Sequence, residues 1–245
     1  MGLDPPAYLG LLRPELDGFV AALSSGPLTA TVAACPGWDL GHLGAHVAFV
    51  HRWATAAVLT ATSLPPGDIP EAPTAPDALV AWVRDGGEAL IDALAQVPID
   101  APTWHPFPAP RTAGVWRRRQ LHELVVHRWD AQDAMGVHGT IDPAVASDGV
   151  DEYLSMMLPR RIIRDGGEFP QSSLHVHCTD TAGEWLVWSD GNELQMRREH
   201  AKGDAALRGS AQDLLLSLWG RSQRSPAIDV VGDPLVAEAW LSLGG

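Results

Sequence analysis

The sequence predicts an α+β protein of two domains, an N-terminal four-helix bundle and a small C-terminal α+β sheet domain. Three observations carry this. Up to about Arg164 the apolar residues recur at helical period between Pro-rich breaks; beyond it they fall into short strand-like runs separated by turns. The length of 245 residues is that of one or two domains of ~150 residues. Apolar residues make up 46% and charged residues 19%, enough for packed cores and too apolar for disorder. The boundary is therefore drawn as 1–164 and 165–245.

In chain order, the first helix is expected over Pro6–Ser25, with Leu9, Leu12, Leu16, Phe19 and Leu23 at three- and four-residue steps. Cys35-Pro36-Gly37-Trp38 is a turn leading to Asp39, a good N-cap for a second helix striped with Leu40, Leu43, Val47, Val50, Ala54 and Val58. Five prolines between 65 and 76 force a non-helical connection. A third helix follows over Asp77–Val97, weakened by Gly86-Gly87. A fourth spans Thr112–Met135 and stops at Gly136. A fifth runs from Pro143 to about Leu158. Ser173–Thr179, Glu184–Ser189 and Glu193–Glu199 then read as a meander with turns at Asp180–Gly183 and Asp190–Asn192. Strands at Ala205–Arg208 and Ala227–Val231, with helices at Ala211–Gly220 and Asp233–Leu243, complete the second region.

Charge and composition exclude several functions. Seventeen cations against 30 acids leave a net charge of −13, which opposes binding to nucleic-acid phosphates. Lys202 is the single lysine, so Schiff-base chemistry has one candidate. Cys35 and Cys178 are too few for a disulfide framework and point to a reducing compartment. The N-terminal MGLDPPAYLG has an acid and two prolines where a secretion signal would be basic and then apolar. The most apolar stretch, Leu40–Thr62, carries His42, His46, His51 and Arg52, which a membrane span would exclude. A cytoplasmic protein with no membrane association is expected, as a monomer or weak homodimer.

Among ten histidines, placement singles out a few. Glu123 and His127 stand four apart on the fourth helix, one turn apart on the same face. Their neighbours Leu121, Leu124, Val125 and Val126 are apolar, so both polar groups are expected in the interior, where they need partners. On spacing alone a salt-linked structural pair is the commoner reading of Glu-x-x-x-His. The alternative is a divalent metal, with a third ligand from another helix of the bundle. His46, beside the apolar stripe of the second helix, is the best-placed candidate; His42 and His51 lie further round. One carboxylate and two imidazoles suit Zn²⁺ and leave positions open for water or substrate, as in a catalytic site.

The segments CPGWDLGHLGAHVAFVHRWA (Cys35–Ala54) and WRRRQLHELVVHRWDAQDAMG (Trp116–Gly136) resemble the mycothiol-dependent maleylpyruvate isomerase family. Later stretches are similar too: DGVDEYL (Asp148–Leu154), HVHCTDTAGEW (His175–Trp185), RGSAQDLLLSLWGR (Arg208–Arg221) and IDVVGDP (Ile228–Pro234). The resemblance covers nearly the whole chain. It implies a DinB-like metal-binding bundle and a sterol-carrier-like C-terminal domain, with His46, Glu123 and His127 as ligands of a divalent ion. It also implies mycothiol as a thiol cosubstrate whose sulfur takes an open metal position, a small electrophilic substrate, and an arginine of the C-terminal domain at the active site, for which Arg221 is the first choice. His42 falls where relatives often carry an acid, so it is expected outside the ligand set.

The remaining candidates have plainer readings. Arg117, Arg118 and Arg119 point three ways around their helix, so at most one or two face a pocket. His175 and His177 share one face of a strand, yet no third ligand is evident, and an ordinary half-exposed sheet face is expected. Asp130, three residues after His127, could orient it. Three functions stay open. The first is an isomerase in which a metal-bound thiolate adds to an activated alkene and is later expelled. The second is an S-transferase that releases the adduct. The third is a non-catalytic lipid or small-molecule binder using the apolar helix around Leu214–Trp219. A structural zinc site with His42 or Asp130 as fourth ligand ranks last.

Overall fold

A computed structural model describes residues 2–191, 193–221 and 227–244. The chain divides into two compact units. The first comprises Asp4–His105 and Ala109–Thr140; the second is built on residues from Ile141 onward together with Pro106–Pro108. This division lies ahead of the change in sequence texture near Arg164, because the helix after Ile141 packs against a helix of the sheet-bearing unit.

Four long helices form the first unit: α1 (Pro5–Ser24), α2 (Leu40–Thr60), α3 (Pro76–Gln96) and α4 (Ala113–Ala134). Helix α1 packs on α3 and α4, and α2 packs on the same two. The Asp39 side chain accepts from the His42 backbone N–H at 2.9 Å and so caps α2. The buried face of α2 is Leu40, Leu43, Gly44, Val47, Ala48, His51, Ala54, Ala57 and Val58. That face is rotated from the expected stripe: Val50 is only half-buried and His51 is fully buried.

Gly44 and Ala48 share this buried face with His51, and a Cβ on Gly44 would stand only 3.3 Å from Leu23 of α1 and 3.4 Å from Leu79 of α3, so the small residue lets the helices come close. The Gly86-Gly87 pair has the same purpose within α3. Side chains there would collide with Arg52 of α2 and Leu16 of α1. Close helix approach outweighs the ~1 kcal/mol that each glycine costs in a helix interior. Helix α4 ends as expected at Gly136, whose φ of +70° only glycine adopts without strain; Val137 N–H donates back to Gln132 O at 2.9 Å.

The second unit begins with α5 (Pro143–Glu152), a π-helical turn over Tyr153–Met157 and α6 (Leu158–Asp165). The helical path therefore continues past Leu158. Pro159 has no N–H to give to the preceding turn; the π-helical turn before it, in which Leu158 N–H donates to Tyr153 O, carries the helical path past it. Five strands follow: β1 (Leu174–Cys178), β2 (Glu184–Asp190), β3 (Glu193–Arg197), β4 (Ala205–Gly209) and β5 (Asp229–Gly232).

The sheet order is β3-β2-β1-β4-β5, with β1 and β4 parallel and the other neighbours antiparallel. The β1–β2–β3 meander matches the pattern of its turns, although Asn192 of the second turn lies outside the described residues. Leu174, Val176 and Cys178 of β1 face the core together with Val187 and Trp185, their partners on β2. Helix α7 (Ala211–Leu218), capped by the Ser210 hydroxyl, packs on β4, β1 and α5 with Leu214, Leu215, Leu216 and Leu218 buried. Helix α8 (Pro234–Leu241) packs on β4, β1 and β5. Among the described residues no helix is long and apolar enough to cross a membrane.

Candidate metal centre

The packing of α2 on α4 brings His46, Glu123 and His127 together. Glu123 Oε1 lies 3.0 Å from His46 Nε2 and 3.4 Å from His127 Nε2. The ligand atoms of the three residues all lie within 4.8 Å of one another. The imidazole rings of His46 and His127 meet edge to face with centroids 5.3 Å apart, and Trp38 from the turn before α2 packs against His46 at 5.1 Å. His46 is the most exposed of the three, with 35% of its side chain open to solvent, against 12% for Glu123 and 10% for His127.

One face of α4 supplies most of the support. Asp130, fully buried, accepts from His127 Nδ1 at 2.9 Å, and Arg119 donates to Glu123 Oε2 at 2.8 Å. Arg119, Glu123, His127 and Asp130 thus run along the helix at steps of four, four and three. With its Nδ1 proton given to Asp130, a neutral His127 presents a bare lone pair on Nε2. That lone pair faces a carboxylate oxygen, and two acceptors in contact require either a second proton on His127 or a cation between them. Burial pushes the Glu123 carboxyl up, but His127, His46 and Arg119 together outweigh it and hold it well below the usual range. Burial pulls His127 down, and the charges of Glu123 and Asp130 raise it above its ordinary value. The donor set fits a divalent ion, with two imidazole nitrogens and one ionised carboxylate oxygen converging and Asp130 fixing one ring.

The neighbouring polar residues divide clearly. His42 is exposed and pairs with Asp39 at 2.7 Å, outside the cluster, as expected. Asp130 supports His127 from behind, which removes it as a fourth ligand. His51 is buried with both ring nitrogens lacking a hydrogen-bond partner, and burial pulls its pKa down to about 4, so it is neutral at pH 7. Of the three arginines in a row, Arg119 turns inward, and Arg117 donates to the carbonyls of Leu94 and Val97 at 2.8 Å.

Arg221 belongs to the second unit, where it donates to Trp219 O at 3.0 Å and its guanidinium lies 5.5 Å from the Trp219 ring. Neither cysteine forms a disulfide, and burial pushes the Cys178 thiol up to about 11. His175 and His177 are not the plain sheet pair that was expected. Glu184 from β2 and His200 from beyond β3 join them, and the four ligand atoms again lie within 4.8 Å. Glu184 and His200 were missed because their proximity depends on strand register rather than spacing along the chain.

Among curated proteins none matches the sequence. Solved structures similar to it include a point mutant of the mycothiol-dependent maleylpyruvate isomerase, with a TM-score of 0.65 and 15% identity over 93% of each chain. Another is the mycothiol-dependent maleylpyruvate isomerase itself, with a TM-score of 0.58 and 16% identity over 93% of each chain. At these identities the likeness is one of fold. The family model for the mycothiol maleylpyruvate isomerase N-terminal domain matches residues 9–132, and that for the family's C-terminal domain matches residues 144–239. With both models matched in order along the chain, this protein belongs to the mycothiol maleylpyruvate isomerase family.

Proposed function

We propose that the protein is a divalent-metal enzyme, with Zn²⁺ held by His46, Glu123 and His127, which uses mycothiol to isomerise a small electrophilic alkene in the cytoplasm. The observation that carries this reading is the convergence of the three donors from α2 and α4, with Asp130 orienting His127. Bound there with an open position, the ion would supply the thiolate form of a coordinated thiol at neutral pH.

The chain's own residues prepare that position. Asp130 keeps the Nε2 lone pair of His127 turned inward, and Arg119 holds one Glu123 oxygen so that the other faces the histidines. Trp38 packs the His46 ring in place. Arg221 is assigned to a substrate carboxylate, which a guanidinium fork suits in a chain of net charge −13. In the reaction the thiolate sulfur adds to one alkene carbon, and the electron pair of the double bond moves into the conjugated carbonyl. Rotation about the new single bond follows. Elimination re-forms the alkene as the trans isomer and returns the thiolate, with no net oxidation or reduction.

Two measurements test this. Elemental analysis of the folded His46→Ala, Glu123→Ala and His127→Ala variants should each show one equivalent of zinc fewer than wild type; an unchanged content sinks the site. Incubation with maleylpyruvate and mycothiol should give the trans isomer with the thiol regenerated. A stable thiol conjugate would instead make the protein an S-transferase at the same site. A co-purifying lipid whose binding ignores the three substitutions, with no thiol chemistry, would make it a carrier.

A further inference from the structure

The sheet face turned away from the core of the second unit carries a second convergence of donors. His175 and His177 alternate along β1 with the core residues Leu174, Val176 and Cys178, so both imidazoles leave the same face. The β1–β2 register sets Glu184 directly opposite His177, and the chain leaving β3 at Arg197 brings His200 back over the same spot. Glu184 Oε1 is 3.1 Å from His177 Nδ1; its Oε2 is 2.6 Å from His200 Nδ1 and 3.4 Å from His175 Nε2. The three rings surround the carboxylate with centroids 5.2–6.1 Å apart.

A separate observation points into the cluster: His175 Nε2 is buried and, although 3.4 Å from Glu184 Oε2, makes no well-aligned hydrogen bond. A buried nitrogen left in this way marks a missing ligand, proton or water. The three imidazole nitrogens converge on one carboxylate, and in one tautomer of each ring the facing nitrogen presents a lone pair. One cation accepts all three lone pairs and neutralises the carboxylate at the same time.

We propose that His175, His177, Glu184 and His200 form a second metal site, which takes a borderline divalent ion of the Zn²⁺ class. Imidazole-rich sets with one carboxylate select such ions over Ca²⁺ or Mg²⁺, which prefer all-oxygen shells. A tetrahedral site with bonds of about 2.1 Å has ligand–ligand edges of about 3.4 Å. The distances from Glu184 to the three rings, 2.6, 3.1 and 3.4 Å, and the 4.8 Å within which all four donors fall, are of that order. His200, with 78% of its side chain exposed, has the freedom to close the fourth side and leaves an entry path from solvent. Four protein ligands make a closed site, so the ion acts as a clip that ties β1, β2 and the segment after β3 together.

The test uses the full chain carrying His46→Ala and His127→Ala, stripped with a chelator and titrated with Co²⁺ and then Zn²⁺. One equivalent of Co²⁺ with the intense visible bands of tetrahedral coordination, displaced by Zn²⁺, is expected. Zn²⁺ should also raise the Tm by several degrees. Adding His200→Asn, an exposed change that spares the fold, should weaken Co²⁺ binding at least 10-fold, and His177→Ala with His200→Asn should abolish it. A folded His46→Ala/His127→Ala protein that takes up no Co²⁺, or binding indifferent to the changes at His177 and His200, would overturn the proposal. A wild-type protein whose single equivalent is lost with His200 and unaffected by His46→Ala would support this site while removing the one in the helical unit.

Discussion

The two histidine–carboxylate clusters are built by opposite means. In the helical unit a single face of α4 supplies Arg119, Glu123, His127 and Asp130, and one residue of α2 completes the set. In the sheet unit four residues come from β1, β2 and the segment after β3, with His175 and His177 the only two near in sequence. A helix stacks side chains every three or four residues, so one helix can carry ligand, orienting group and counter-ion together. A sheet places neighbours on different strands, so its cluster exists only once the register is set. The helical cluster is therefore pre-organised by supporting side chains. The outermost histidine of the sheet cluster, His200, stands in solvent.

The sharpest way to break this comparison is at the shared carboxylate of the helical cluster. Glu123→Ala should abolish thiol-dependent turnover. It should also destabilise the metal-free protein by about 3–5 kcal/mol, because His127 and Arg119 lose their buried partner; chemical denaturation reads the second effect. A loss of activity with full stability would mean that the carboxylate is not holding these groups in the fold.

His51 separates the two clusters in a second way, as a histidine of α2 that is core rather than ligand. Its pKa is held near about 4, below the ordinary 6.5. As pH falls through 6.5 the unfolded chain gains a proton that the folded chain refuses until about pH 4. Stability from this group is therefore full above 6.5 and declines across that interval, by about 3 kcal/mol. Denaturant midpoints measured from pH 7 to pH 4 should fall less steeply in His51→Leu than in wild type. Equal slopes would place the acid sensitivity elsewhere.

Asp130→Asn tests whether the supporting layer matters. It should weaken zinc binding by about 10- to 100-fold in a competition titration while the protein stays folded. An unchanged affinity would make Asp130 a partner of the fold alone. The smallest effect is expected at His42. Its ion pair with Asp39 is exposed, so His42→Ala should shift stability by no more than about 0.5 kcal/mol and leave zinc content unchanged.

Much of the helical site is legible in the sequence because its geometry is local. The Asp39 cap, the stop at Gly136 and the Glu123–His127 spacing each depend on residues within one helical turn of each other. His46 stands out by its place beside the apolar stripe of the second helix, and the resemblance to a known family points to the same residue. The inward turn of Arg119 was not legible, since three consecutive arginines differ in burial only through what packs on each side of α4. The same limit hid the burial of His51, which shares the buried face of α2 with Gly44 and Ala48. It also hid the second cluster: nothing in the spacing of Glu184 or His200 shows that strand pairing returns them to His175.

By itself the sequence determined the two-region α+β organisation, where its helices and strands fall, and which histidine and carboxylate share a face of α4. These depend on backbone preferences, caps and periodicities that act over a few residues. Only the tertiary structure decided that α5 packs with the sheet unit, that β4 runs parallel to β1, and that His46 and His200 reach their carboxylates. Those outcomes follow from packing and register between segments far apart in the chain, where many arrangements satisfy the local pattern and the best-packed one is selected.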